Sequence, residues 1–148
     1  MKHYTLYCLN QKVQVSIYAT QWTMHAASIK FKKNGSITDT THDSVGKCYR
    51  WFINDQDGKL VHGKVVAVVM CSWDRLSLDV ISHELLHAAI HCWGYETQEN
   101  HYPREMNIEN EEQLVYAHSD LLLSMVEMFT KKQRRRILSN DTASCPVS

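Results

Sequence analysis

The residues best suited to chemistry form the run Ser82-His83-Glu84-Leu85-Leu86-His87, which matches the pattern H-E-x-x-H. In an α-helix, residues i and i+4 leave the same face about one turn apart, so the imidazoles of His83 and His87 converge. Two neutral imidazoles held in this way can bind one zinc ion. Glu84 lies about 100° further round the helix, beside the metal and not on it. The spacing therefore predicts a site for one Zn²⁺ per chain, with Glu84 as general base for an activated water.

The residues around the motif favour a buried helix that positions these side chains. Steps of about 100° per residue place apolar side chains opposite His83. These are Leu78, Ile81, Leu85, Ala88, Ala89 and Cys92. A helix that is apolar over most of its circumference is buried, and buried polar groups need partners such as a metal. The alternative is a solvent-facing stripe of His and Glu on an amphipathic helix.

A catalytic zinc site usually has a third protein ligand, which we expect on a later element. Glu111 and Glu112 open a second helix with apolar periodicity, and Glu111 lies nearer the middle of its apolar arc. His118, further along that helix, is a rival ligand. His91 continues the i, i+4, i+8 series of the first helix. We interpret it as a wall of the pocket, because one straight helix cannot easily direct three successive turns at one ion.

The motif, followed by a glutamate at the start of a later helix, resembles the zincin metallopeptidases of the gluzincin type. It is most similar to their small single-domain members, such as phage-encoded peptidases and the regulatory ImmA/IrrE peptidases. The resemblance covers about residues 65–128. It implies a glutamate as third ligand, with small residues one and two turns later. Val115 and Ser119 stand there relative to Glu112, so the resemblance favours Glu112. Ile90 replaces the glycine of the longer metzincin pattern.

This resemblance implies a small zincin-like α+β domain. Its N-terminal, mostly antiparallel sheet would pack on the active-site helix and on a second, C-terminal helix. The edge strand of such a sheet can bind an extended peptide by main-chain pairing. The implied partner is a peptide or protein substrate, and Tyr116 or His118 could donate a hydrogen bond to a developing oxyanion.

Composition sets broad limits on the protein. The 148 residues suit one domain, residues 1–148, and 44% hydrophobic with 22% charged residues is ordinary for a globular protein. The formal net charge is zero, which makes a nucleic-acid partner an unlikely expectation. Five cysteines, an odd number without C-x-x-C, indicate no disulfide framework. Neither a signal sequence nor a membrane-length apolar run is present, so we expect a cytoplasmic protein.

The alternation of apolar and polar residues, together with turn-forming residues, predicts several strands in the first half of the chain. The segment Gln21–Lys33 is ambiguous between helix and strand, and residues 38–46 form a polar loop. Asp57-Gly58 marks a turn. Ser77 or Asp74 caps the motif helix and Gly94 ends it. The predicted strands are Tyr4–Leu9, Val13–Ala19, Lys47–Ile53 and Leu60–Cys71.

Five of the six residues from Lys131 to Arg136 are basic. We interpret them as the solvated C-terminal end of the second helix, where cations interact favourably with the helix dipole. A nucleic-acid patch or a localisation signal is the alternative. Residues 139–148 are predicted to be a flexible tail.

The sequence therefore predicts a zinc-dependent metallopeptidase, a hydrolase with His83, His87 and Glu112 as ligands and Glu84 as catalytic base. Two alternatives remain. One is a metal-dependent nucleic-acid hydrolase that grips phosphate with its basic run. The other is a non-catalytic, zinc-stabilised binding module, in which His91 or His118 is a fourth ligand.

Overall fold

A four-stranded sheet and four helices make up the residues that the computed structural model describes, which are 1–34, 44–54, 60–96 and 108–144. The α+β class predicted from the sequence is confirmed. In chain order the elements are β1 (Lys2–Cys8), β2 (Gln11–Tyr18), α1 (Gln21–Asn34), β3 (Gly46–Asn54), β4 (Leu60–Ser72), α2 (Leu78–Glu96), α3 (Ile108–Met128) and α4 (Lys131–Ser144).

The sheet has the strand order β1-β2-β4-β3. The β1/β2 and β3/β4 pairs are antiparallel, whereas β2 and β4 are parallel. The sheet is thus mostly antiparallel, as predicted. The β1–β2 turn uses Leu9 and Asn10, whose φ angles of 49° and 60° are left-handed, as tight hairpin turns require. Strand β3 lies at an edge and begins at Gly46, one residue before the start of the predicted strand.

Both faces of the sheet are covered. On one face, α2 packs on β3 and β4 and α3 packs on β1, and alternate residues of β2 belong to the same buried cluster. Val13, Val15 and Ile17 are fully buried there, which confirms the period-2 pattern. On the other face, α1 covers a smaller cluster that includes Met24 and Tyr49. The ambiguous segment after Gln21 is helical, and its side chains Met24 and Phe31 pack on this second face. None of the described helices is long and apolar enough to cross a membrane.

The start of α2 is fixed by side chains from two places in the chain. The Oγ of Ser77 accepts the Val80 N–H at 3.1 Å and so caps the helix. The carboxylate of Asp141, on α4, accepts the N–H groups of Leu78 and Asp79 at 3.0 and 3.2 Å. The first amides of a helix have no partner within it. The end of α4 therefore completes the cap of the helix that carries the motif.

We expect Asp141→Ala to destabilise the protein, because two amides at the start of α2 lose their acceptor. The expected loss is about 1 kcal/mol in the free energy of unfolding, the usual cost of a lost N-terminal cap. Urea denaturation followed by circular dichroism measures it. Asp120→Ala, which removes an exposed carboxylate from α3, is the matched control. Equal stability of the two variants would show that the contact across the helices contributes nothing.

The C-terminal region differs from the prediction of one continuous helix ending in the basic run. Helix α3 stops at Met128, and Phe129 turns inward, 2% exposed, against the rings of Tyr4 and Trp73. Thr130 then starts α4 with a capping box: its Oγ1 accepts the Gln133 N–H, and Gln133 Oε1 accepts the Thr130 N–H.

Two further predictions of element ends were wrong. Residues 139–144 are not a tail, because they form the last turns of α4, where Asn140 donates to the Leu76 carbonyl at 2.6 Å. Helix α2 continues through the buried Gly94 to Glu96. The predicted Asp57-Gly58 turn and residues 145–148 lie outside the described residues.

Candidate metal centre

The motif lies in the middle of α2. The buried and exposed sides of this helix are those that its sequence pattern predicts. Its apolar side chains are fully buried against the sheet and α3: Ile81, Leu85, Ala88, Ala89 and Cys92. His83 and His87 are on the opposite, exposed side. The packing of the apolar side therefore fixes the helix in place, with both imidazoles on a surface that a ligand can reach.

The two imidazoles converge. The Nε2 atoms of His83 and His87 are 3.2 Å apart, and the ring centroids are 4.9 Å apart. This distance suits a hydrogen bond in which one neutral ring donates its N–H to the other. It also suits two ligands of one tetrahedral zinc, whose nitrogens lie about 3.3 Å apart at Zn–N distances of about 2.0–2.1 Å. The pair thus fits two adjacent positions of a zinc site.

The protonation state of His87 favours metal binding. Partial burial lowers the pKa of His87, and the neighbouring His83 lowers it further. Both effects disfavour the imidazolium, since burial and a second nearby cation each penalise positive charge. His87 is therefore neutral at physiological pH, and the neutral ring is the form that binds a metal.

Glu84 leaves α2 toward the sheet and is 7% exposed. It lies against the first residue of edge strand β3. A Cβ placed on Gly46 would be 2.7 Å from Glu84 Cγ and 2.9 Å from Oε1, so any larger residue there would force the Glu84 side chain to shift. The carboxyl group consequently lies between α2 and the edge strand, on the flank of the helix next to the histidine face.

Two thiols border the same buried carboxylate. Burial raises the pKa of Cys48 and Cys71, and the nearby Glu84 charge raises both further. They remain protonated at neutral pH and are neither nucleophiles nor thiolate ligands. Cys71 is fully buried and packs as a small core residue. None of the four cysteines within the described residues forms a disulfide.

Gly46 is a site residue that the sequence alone did not identify. We expect Gly46→Ala to cost about 1–3 kcal/mol, as overpacking of a dense interior does, because the new methyl group overlaps Glu84. Chemical denaturation measures the cost. The same substitution in a Glu84→Ala background is the control, since that background removes the atoms in the way. An equal cost in both backgrounds would contradict the contact.

On the other flank of α2, His118 connects α3 to the motif. Its Nε2 lies 3.0 Å from the Ser82 carbonyl oxygen and 3.2 Å from Ser82 Oγ. Because a carbonyl can only accept, Nε2 carries the proton and donates. This nitrogen is therefore occupied by the backbone of α2, one residue before His83, and not directed at the histidine pair.

The glutamates at the start of α3 are not brought to the histidine pair. Glu111 and Glu112 are both exposed. In the ranges that the structure describes, no group of three His, Cys, Asp or Glu side chains is arranged to hold a metal. By helical rotation Glu111 lies about 20° from His118, which contacts α2, whereas Glu112 lies about 120° from it. The orientation of α3 thus favours Glu111, while the family resemblance favours Glu112.

The remaining predicted residues lie around this centre. Tyr116 is 65% exposed and lines a groove with Tyr7 and Gln113. It is therefore on the β1 side of α3. His91 is half-buried on α2, two turns beyond His83.

Comparisons with known proteins add no relative. No protein family model, curated protein or solved structure matches the chain. The function is therefore inferred from the side chains of the site itself.

Proposed function

We propose that this chain is a zinc-dependent metallopeptidase, similar to the small gluzincins, which hydrolyses peptide bonds with Glu84 as general base. The observation that carries the proposal is the 3.2 Å approach of the His83 and His87 Nε2 atoms on one exposed helix face, with the Glu84 carboxylate on the adjoining flank. A nucleophilic thiol mechanism is not supported, because the pKa values of Cys48 and Cys71 are raised.

In this proposal His83 and His87 hold one Zn²⁺. A glutamate from the start of α3 would be the third ligand, and because the described structure does not bring it to the histidine pair, it would have to approach them when the metal binds. Zinc bound in such a site would polarise a substrate carbonyl and lower the pKa of a water molecule toward neutrality. The chain itself supplies the rest of the chemistry. The buried helix fixes the two rings, and the lowered pKa of His87 keeps its nitrogen available.

Glu84 moves the proton. Its carboxylate accepts a proton from the attacking water and later donates that proton to the leaving amine. The contact with Gly46 holds the side chain in place, and its burial excludes bulk water from the carboxylate. A fixed, desolvated base needs little reorganisation when the proton moves.

The edge strand supports a peptide as substrate. Within the described sheet β3 has one neighbour, β4, so its other edge is available to pair with an extended main chain. Gly46, the residue that touches Glu84, begins this strand. A peptide added alongside β3 would therefore pass close to the proposed base.

Separate substitutions of Glu111 and Glu112 distinguish the two candidates for the third ligand. We expect Glu111→Gln to weaken zinc binding about 100-fold or more, beyond the 10- to 100-fold cost of losing an outer-shell partner. Glu112→Gln should then have little effect, because it lies further from the side of α3 that contacts α2. Titration against a chelating zinc indicator measures both. The reverse order would establish Glu112 as the ligand, and no effect of either would exclude this pair.

The experiment that tests the function is a cleavage screen with a diverse peptide library, read by mass spectrometry. The protein is stripped of metal by a chelator and then reloaded with one equivalent of Zn²⁺. We expect cleavage only after reloading. Cleavage that persists in the stripped protein, or no cleavage of any peptide by the zinc-loaded protein, would contradict the proposal.

A further inference from the structure

The basic run begins a helix instead of ending one. Lys131 is the first residue of α4, and Thr130 caps the helix just before it. Five cations therefore stand in the first two turns, and no acidic residue lies in the first turn. All five are exposed: Lys131, Lys132, Arg134, Arg135 and Arg136. We call these five residues the α4 basic surface.

Electrostatic interactions within α4 do not explain this arrangement. The N-terminus of a helix carries a partial positive charge, so cations there are unfavourable. Lys131 and Arg135, and likewise Lys132 and Arg136, are like-charged pairs at i and i+4, which also destabilise a helix. The sequence contains no Asp or Glu between Glu127 and Asp141 that could offset them. The helix dipole and the side chains therefore add to one positive potential on a chain of zero net charge.

The cations of the α4 basic surface are mostly on one side of the helix, and the positively charged Lys2 lies beyond Phe129 and Tyr4. Four of its cations, all except Arg134, lie within about 140° of the helix circumference. Arg134 turns back and donates from Nε to the Phe129 carbonyl at 3.0 Å. Phe129 contacts the Tyr4 ring, over which the Lys2 ammonium lies at 5.1 Å. Positive charge thus continues from α4 toward the start of β1.

We propose that the α4 basic surface binds the phosphate backbone of nucleic acid, independently of the metal centre. Arginine and lysine side chains are the usual phosphate ligands, and the positive end of a helix dipole strengthens such contacts. Helices that lie in an anionic membrane surface usually combine their cations with an apolar face. Here α4 commits its buried apolar residue, Ile137, to the core, and only Leu138 is an exposed large apolar side chain. The exposed side of α4 thus presents cations with little apolar surface, which suits the phosphate backbone of nucleic acid.

The test is fluorescence anisotropy with a short labelled DNA duplex of random sequence, titrated with the full chain over a range of salt concentrations. Wild type should bind with a log–log salt slope of about −4.5, as expected for five phosphate contacts. In the triple variant Lys131→Gln, Lys132→Gln and Arg135→Gln the slope should fall to about −1.8, with at least about tenfold weaker binding at low salt.

The matched control also removes three cations, through Lys12→Gln, Lys30→Gln and Arg75→Gln on other parts of the surface. It should retain the wild-type slope. The Tm of the α4 triple variant should equal or exceed that of wild type, because it relieves an unfavourable helix start. The same slope loss in both triple variants, no duplex binding at low salt, or binding only to phosphatidylserine vesicles would overturn the proposal.

Discussion

Glu84→Gln is expected to abolish peptide hydrolysis and to leave the zinc content at about one ion per chain. Glutamine keeps the size of the side chain and its contact with Gly46, but its neutral amide cannot accept the proton of the attacking water. The loss in kcat should be about 10²- to 10⁴-fold, the usual contribution of general acid–base catalysis. Steady-state cleavage of the best peptide from the library screen, with parallel elemental analysis, measures both quantities.

The control for this variant is Glu127→Gln, which changes an exposed glutamate on α3 and should retain full activity. Because Glu84 is buried, its substitution could also affect folding, so circular dichroism must accompany the kinetics. Activity of a folded, zinc-loaded Glu84→Gln variant close to that of wild type would remove Glu84 from the mechanism. Loss of zinc in that variant would instead make Glu84 part of the metal site.

His87→Ala is expected to lose both zinc and activity. The variant removes one of two nitrogens that lie 3.2 Å apart. His83 alone cannot hold the ion tightly without this second imidazole. We expect the zinc affinity to fall by at least about 100-fold, above the range for outer-shell changes. Competition with a chelating indicator gives the dissociation constants. The fold should survive, because His87 is exposed and contributes nothing to the core.

His25→Ala is the histidine-matched control, since His25 is on α1, which covers the other face of the sheet. That variant should bind zinc like wild type. If His87→Ala and wild type bound zinc with equal affinity, the ion would be held elsewhere and the convergence of the two rings would be a simple hydrogen bond.

Short-range patterns predicted much of the fold. The alternation of apolar and polar residues in β2 and the apolar periodicity of α2 each predict one buried face. Both predictions agree with the structure, because the side chains on a buried face recur at the spacing of the element itself. The same periodicity placed His83 and His87 together on the exposed side of α2. A spacing of four residues in a helix leaves little freedom, so this part of the candidate site followed from sequence alone.

Helix ends were harder to predict, because tertiary contacts decide them. Apolar periodicity continues through Phe129 and therefore does not predict the break before α4. The break arises from the burial of that ring against Tyr4 and Trp73. A local signal was present, since Thr130 and Gln133 have the spacing of a capping box. The cap from Asp141 to α2 links residues 63 positions apart, and no local pattern indicates it.

Long-range packing also limited the prediction of the site. Gly46 meets Glu84 only because β3 pairs with β4 beside α2, and a single glycine before a strand carries no such information. Adjacent glutamates differ by about 100° on a helix, so the choice between Glu111 and Glu112 depends on how α3 is rotated against α2. Sequence periodicity does not fix that rotation to within one residue.

The central claim is that His83 and His87 hold one zinc ion. Anomalous diffraction from crystals of the zinc-loaded protein, with data collected on both sides of the zinc absorption edge, tests it most directly. We predict one strong anomalous peak per chain, about 2.0–2.1 Å from the Nε2 atoms of both histidines. The nearest carboxylate oxygen will then identify the third ligand. A peak at any other position would contradict the proposed metal centre. The absence of a peak from a crystal kept in a zinc-containing solution would contradict it too.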